Sequence, residues 1–112
     1  MKNRMVFLIA GILVFSSFVN ADQNKGPETI VLDGGSKGKI ALPHLTHQNM
    51  LKDCNACHST FPQKTGSIQA LKAEGKLENK FVMNNLCIAC HRAEKKAGKP
   101  SGPISCSGCH GN

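Results

Sequence analysis

The sequence predicts a small α+β chain with little regular structure: an N-terminal two-stranded β-hairpin, then short helices wrapped around a core that side chains alone do not supply. Three observations predict it. Residues 28–42 hold two short apolar runs on either side of a glycine-rich turn. Beyond them, short helical patches are separated by glycine and proline. Finally, Cys-x-x-Cys-His occurs three times, as Cys54-Asn-Ala-Cys57-His58, Cys87-Ile-Ala-Cys90-His91 and Cys106-Ser-Gly-Cys109-His110, which together use all six cysteines and three of the five histidines.

Taken in order, the chain begins with a targeting pattern. Lys2 and Arg4 precede an apolar stretch over 5–19, and Val19-Asn20-Ala21 is a small-residue cleavage site. The apolar run falls short of the about 20 residues that a membrane span needs. A cleaved signal peptide over 1–21 is therefore expected rather than an anchor, with export to the periplasm and no stable membrane insertion afterwards. Residues 22–112 form one small domain whose only aromatics are Phe61 and Phe81. The whole sequence carries a formal charge of +7; residues 1–21 contribute two bases and no acid, which leaves +5 after their removal. An exported chain without stacking aromatics gives no support to nucleic-acid binding, whereas its lysines suit steering of an acidic redox partner or an anionic substrate.

Segments 28–33 and 39–42 read as strands around the turn 34–38, and Pro43 ends the second. An isolated hairpin is marginal, so it must pack on something. Residues 43–51 read as a helix with proline at its start, running into the first motif, with His44 and His47 on neighbouring parts of one face. A loop follows over 59–66, then a helical patch over 67–76 with Ile68 and Leu71 as its apolar face. A further helix over 79–92 carries Phe81, Val82, Met83 and Leu86 into the second motif. Residues 95–103 read as a lysine-, glycine- and proline-rich linker into the third.

Each Cys-x-x-Cys-His reads as a site of c-type haem attachment. The sulfurs of Cys54 and Cys57, Cys87 and Cys90, and Cys106 and Cys109 add to the haem vinyl groups, and the adjoining His58, His91 or His110 binds iron as proximal ligand. A disulfide framework would not explain a histidine after every second cysteine. Zinc sites pair Cys-x-x-Cys with a distant second pair, which is not this pattern. Three covalently attached haems supply the apolar core that a chain of this size lacks, so the apoprotein is expected to be largely unfolded.

Three six-coordinate irons need six axial ligands, and the motifs fill three positions. His44 and His47 are the only other histidines, and each haem has one position left, so they should serve two different haems. The third iron then takes a thioether. Met1 and Met5 leave with the signal, so Met50 and Met83 remain as candidates.

The run Ile30-Val-Leu, Pro43-His44-x-x-His47 and the three motifs in this order resemble the triheme periplasmic cytochromes c7, smaller relatives of tetrahaem cytochrome c3, over nearly all of 22–112. The resemblance implies that His44 pairs with His58 and His47 with His91. The family has a histidine four residues before the second motif that ligates the last haem. Here that position is Met83, which makes Met83 with His110 the implied third pair. The segment between the first two motifs is longer than is usual in the family. The implied function is that of a monomeric electron carrier between membrane quinol-oxidising dehydrogenases and terminal or outer-membrane multihaem reductases, with no catalytic residue. The rival reading is a small haem enzyme or gas sensor with an open site on the third haem. A fixed subunit of a larger redox complex is a third.

Overall fold

The computed structural model describes residues 25–111. The signal segment 1–21 and its cleavage site lie outside them. Strand β1 (Ile30–Leu32) pairs antiparallel with β2 (Ile40–Leu42), with Ile30 opposite Leu42, Val31 opposite Ala41 and Leu32 opposite Ile40. The pleat puts Ile30, Leu32, Ile40 and Leu42 on one half-buried face and leaves Val31 exposed on the other. The connecting turn contains a 3₁₀ segment, Gly35–Lys37. It is fixed at its start by Asp33 Oδ1, which accepts from the Gly35 N–H at 2.8 Å.

Helix α1 (His44–Leu51) starts at Pro43, which is its N-cap. The sequence predicts that this helix runs into the first motif, and it does not. Lys52 turns left-handed (φ 53°) and donates its N–H to the Gln48 carbonyl at 3.0 Å, which ends α1. Asp53 then restarts the chain, its Oδ1 accepting from the Asn55 N–H at 2.9 Å at the start of α2 (Asn55–His58). Helix α3 (Ser67–Ala73) is shorter than the predicted patch. Gly75 (φ 70°) terminates it, and the N–H groups of Lys76 and Leu77 both reach back to the Leu71 carbonyl at 2.9 and 3.2 Å. That reversal turns Leu77 inward, and it is the one buried residue among those described.

The predicted helix over 79–92 differs most. Its centre is a π-helix, Val82–Ile88, and it continues as α4 (Ala89–Lys96), which takes Lys95 and Lys96 from the predicted linker. Helix α5 (Cys106–Cys109) is capped by Ser105, whose Oγ accepts from the Gly108 N–H at 3.2 Å. The base of the hairpin is tied to α1, where the Leu45 N–H meets the Glu28 carbonyl at 3.0 Å. The turn of the hairpin meets the third motif, where the Gly38 carbonyl accepts from His110 Nδ1 at 3.3 Å. Among the described residues, no helix is long and apolar enough to cross a membrane.

Candidate functional site

The five histidines share one arrangement. His44 Nδ1 bonds to the Pro27 carbonyl at 3.0 Å, His47 to Pro43 at 2.9 Å and His58 to Phe61 at 3.1 Å. His91 bonds to Pro103 at 2.7 Å and His110 to Gly38 at 3.3 Å. A carbonyl only accepts, so each Nδ1 donates its proton there and leaves Nε2 as the nitrogen that can offer a lone pair to a metal. This is how metal-binding imidazoles are held, since the outer hydrogen bond fixes tautomer and orientation and raises basicity. All five rings are half-buried.

Two ring pairs come together. The His44 and His58 centroids lie 6.3 Å apart at an interplanar angle of 87°, and those of His47 and His91 lie 6.1 Å apart at 35°. An imidazole–metal bond is about 2 Å, so two rings on opposite faces of one metal have centroids roughly 6 Å apart. These are the pairs that the resemblance implies. Because α1 carries His44 and His47 one turn apart, the first pair links α1 to α2 and the second links α1 to α4. His110 is the remaining histidine. Met83 stands half-buried in the π-helix, whereas Met50 on α1 is 60% exposed.

The three motifs converge. The Cys57 thiol is pushed up by burial and then by the nearby Cys90 sulfur; the Cys87 thiol is pushed up by burial and then by Cys57 and Cys109. Members of all three motifs thus lie within electrostatic reach. All six cysteines are free, so no disulfide framework forms. Among the described residues, no three His, Cys, Asp or Glu side chains gather as a metal cage would need. Two-ring pairs beside free Cys-x-x-Cys sulfurs fit a ligand that brings its own four equatorial nitrogens.

The carbonyls that orient the rings are the part that sequence reasoning missed. A repeated Gly-Pro dipeptide could have pointed to two of them. Gly26-Pro27 and Gly102-Pro103 each give the proline carbonyl to a ring, and the glycine lies against that ring. A Cβ on Gly26 would come within 3.6 Å of His44 Cε1, and one on Gly102 would collide with the His91 imidazole. Proline's fixed φ stiffens the acceptor segment, and at Gly102 the missing Cβ admits the ring, whereas at Gly26 a Cβ would only touch it.

The sequence profile of a family described as cytochrome c7 and related cytochrome c matches residues 40–111. Among curated proteins, a cytochrome c7 of Geobacter metallireducens is 31% identical over 75 residues, covering 65% of this chain and 64% of that protein. The 26 kDa cytochrome c3 of Desulfomicrobium norvegicum is 27% identical over 90 residues, 66% of this chain and 78% of that one. A high-molecular-weight cytochrome c of Nitratidesulfovibrio vulgaris is 35% identical over 79 residues, which is 64% of this chain but 14% of that one. The solution structure of the triheme cytochrome PpcA from Geobacter sulfurreducens superposes with a TM-score of 0.54 at 29% identity, covering 77% of this chain and all of that one. A second structure from the triheme cytochrome family of the same organism gives 0.53 at 28%, with the same coverage.

Proposed function

We propose, on the premise that this chain belongs to the family of cytochrome c7 and related cytochromes c, that it is a periplasmic carrier passing electrons between membrane quinol-oxidising dehydrogenases and terminal or outer-membrane multihaem cytochromes. Membership makes it a multihaem electron-transfer cytochrome with three covalently attached c-type haems. The assignment of residues to haems is our reading. Cys54 and Cys57, Cys87 and Cys90, and Cys106 and Cys109 hold the three rings. His58 with His44, His91 with His47, and His110 with Met83 are the axial pairs.

The observation that carries this reading is the set of five imidazoles, each with Nδ1 on a backbone carbonyl and four of them in pairs 6.1 and 6.3 Å apart. When bound, haem supplies one-electron chemistry. The chain supplies the ligands, the orientation of each ring and the surface charge, and these set potential and partner choice. Coordinatively complete irons leave no position for a substrate, so no acid, base or nucleophile is required. Cleavage after Ala21 would release the domain over 22–112 into the periplasm as a monomer.

The test is direct. The intact mass of the purified native protein should equal residues 22–112 plus three haems, with the haem retained in acid acetone. The ferric spectrum should be fully low-spin. A mass with fewer haems would overturn the attachment, and a resting high-spin haem would favour an open-site enzyme or gas sensor instead.

A further inference from the structure

The glycine-rich turn of the hairpin belongs to the third motif's histidine. The Gly38 carbonyl accepts the His110 Nδ1 proton at 3.3 Å, the longest of the five such bonds. Gly38 aims that carbonyl from φ 89° and ψ 176°, a region that only glycine occupies freely. Gly34 lies against the ring itself. A Cβ there would stand 2.7 Å from His110 Cε1 and Nδ1 and would collide with the Gly38 oxygen. Yet Gly34 has φ −93°, which any residue adopts, so it is glycine for space and not for conformation. The turn is anchored through Asp33, whose Oδ1 accepts from the Gly35 N–H at 2.8 Å and whose Oδ2 accepts from Gln69 Nε2 on α3 at 2.7 Å.

We infer that this turn is a potential-setting cradle: Asp33, Gly34 and Gly38 are positioning residues that fix the orientation and basicity of the His110 imidazole, and hence the reduction potential of the third haem. The inference rests on the reading of His110 as that haem's proximal ligand. Hydrogen bonding at Nδ1 raises the donor strength of Nε2, and a stronger donor favours ferric iron and lowers the potential. The other four acceptors stand outside the turn: Pro27 and Pro43 flank the hairpin, Phe61 follows α2, and Pro103 precedes α5. The hairpin is therefore the one element that addresses His110 alone. A change in the turn should move one haem and leave two untouched.

The experiment is a haem-resolved redox titration of the holoprotein by NMR, with the His110 Nδ1–H resonance followed in parallel. Gly34→Ala should displace the ring from the Gly38 carbonyl. It should raise the third haem's potential so that its reduced-to-oxidised ratio at fixed potential grows about tenfold, about 59 mV for a one-electron couple. The Nδ1–H should exchange faster, with the other two haems unchanged. A second comparison does not depend on fitting a methyl. Asp33→Asn and Asp33→Ala remove the same charge, but only alanine removes the acceptor that fixes the turn, so only alanine should reproduce the Gly34→Ala shift. Equal shifts for both Asp33 variants, a shift shared by all three haems, or an unmoved third haem in Gly34→Ala would overturn the cradle. His110→Ala separates this from the underlying reading. If it leaves all three haems low-spin with unchanged potentials, His110 is not the ligand and the assignment itself falls.

Discussion

On the proposed ligand assignment, Met83 and Met50 are the two thioethers open to the third iron, and their surroundings differ. Met83 is half-buried four residues before the second motif, while Met50 on α1 is 60% exposed. Sulfur donates more weakly to ferric iron than imidazole does, so the Met83 haem should hold the first electron. Met83→His is expected to lower that haem's potential by on the order of 0.1 V, within the roughly 0.8 V that axial ligands command, and to leave it low-spin. Met83→Ala should create a high-spin haem that binds carbon monoxide when reduced; Met50→Ala should do neither. Optical titration of the three variants checks this, and a high-spin species in Met50→Ala would reverse the assignment. At this scale the sequence was highly legible for covalent chemistry. Three Cys-x-x-Cys-His copies point to three c-type haems because the motif is local in sequence. The carbonyls of Pro27, Gly38 and Pro103 were not legible, because every residue has a carbonyl and only the fold selects which one faces a ring.

The hairpin and α1 were readable as elements because turn glycines and Pro43 punctuate them. The errors came where side-chain periodicity carries no boundary. Apolar residues at 81, 82, 83 and 86 suit a helix of either winding, so the wider π turn over Val82–Ile88 left no mark in the pattern. The left-handed break at Lys52 was hidden because lysine is an uncommon residue in that conformation. The extension of α4 places Lys95 and Lys96 in its last turn, where cations complement the helix dipole. Lys99 lies just beyond, 3.6 Å from Glu94. Lys95 and Lys96 therefore sit on a rigid helix continuous with the second motif rather than on a loose linker. Electron transfer to an acidic partner should slow by about tenfold as salt rises from low to physiological strength, the low end of steering effects, because screening acts over about 8–10 Å. Replacing Lys95 and Lys96 by glutamine should flatten that dependence. Stopped-flow rates across a salt series decide it, and an unchanged slope would remove α4 from the docking face.

At the scale of the whole molecule, the described residues have almost no interior of their own. Leu77 is the single buried residue among those described, and the apolar faces of the hairpin and helices are half-buried. Side-chain burial on this scale cannot offset the entropy of ordering the chain. Protein made without haem attachment should therefore lack the dispersed amide spectrum of a folded domain, which two-dimensional NMR reads directly. In the holoprotein, Leu77→Ala should cost about 2 kcal/mol, the low end for a buried leucine, measured by denaturant titration with the haem spectrum as probe. The fold class was legible in advance because the motifs announce what fills the centre. The path of the chain between them was not, since residues 59–86 bury only Leu77 among the described residues and so carry no periodic core signal.

The two imidazole pairs also differ in a way that a magnet can read. One pair crosses at 87° and the other at 35°. Crossed axial planes leave the two iron d-orbitals that receive ligand π-density nearly degenerate, while planes closer to parallel split them. With each pair ligating one haem as proposed, the ferric protein should therefore give two distinct low-spin electron paramagnetic resonance signals. One is strongly anisotropic with a large maximal g, from His44 and His58; the other is rhombic, from His47 and His91. Pro27→Ala, which frees the carbonyl that holds His44, should alter the first signal and spare the second.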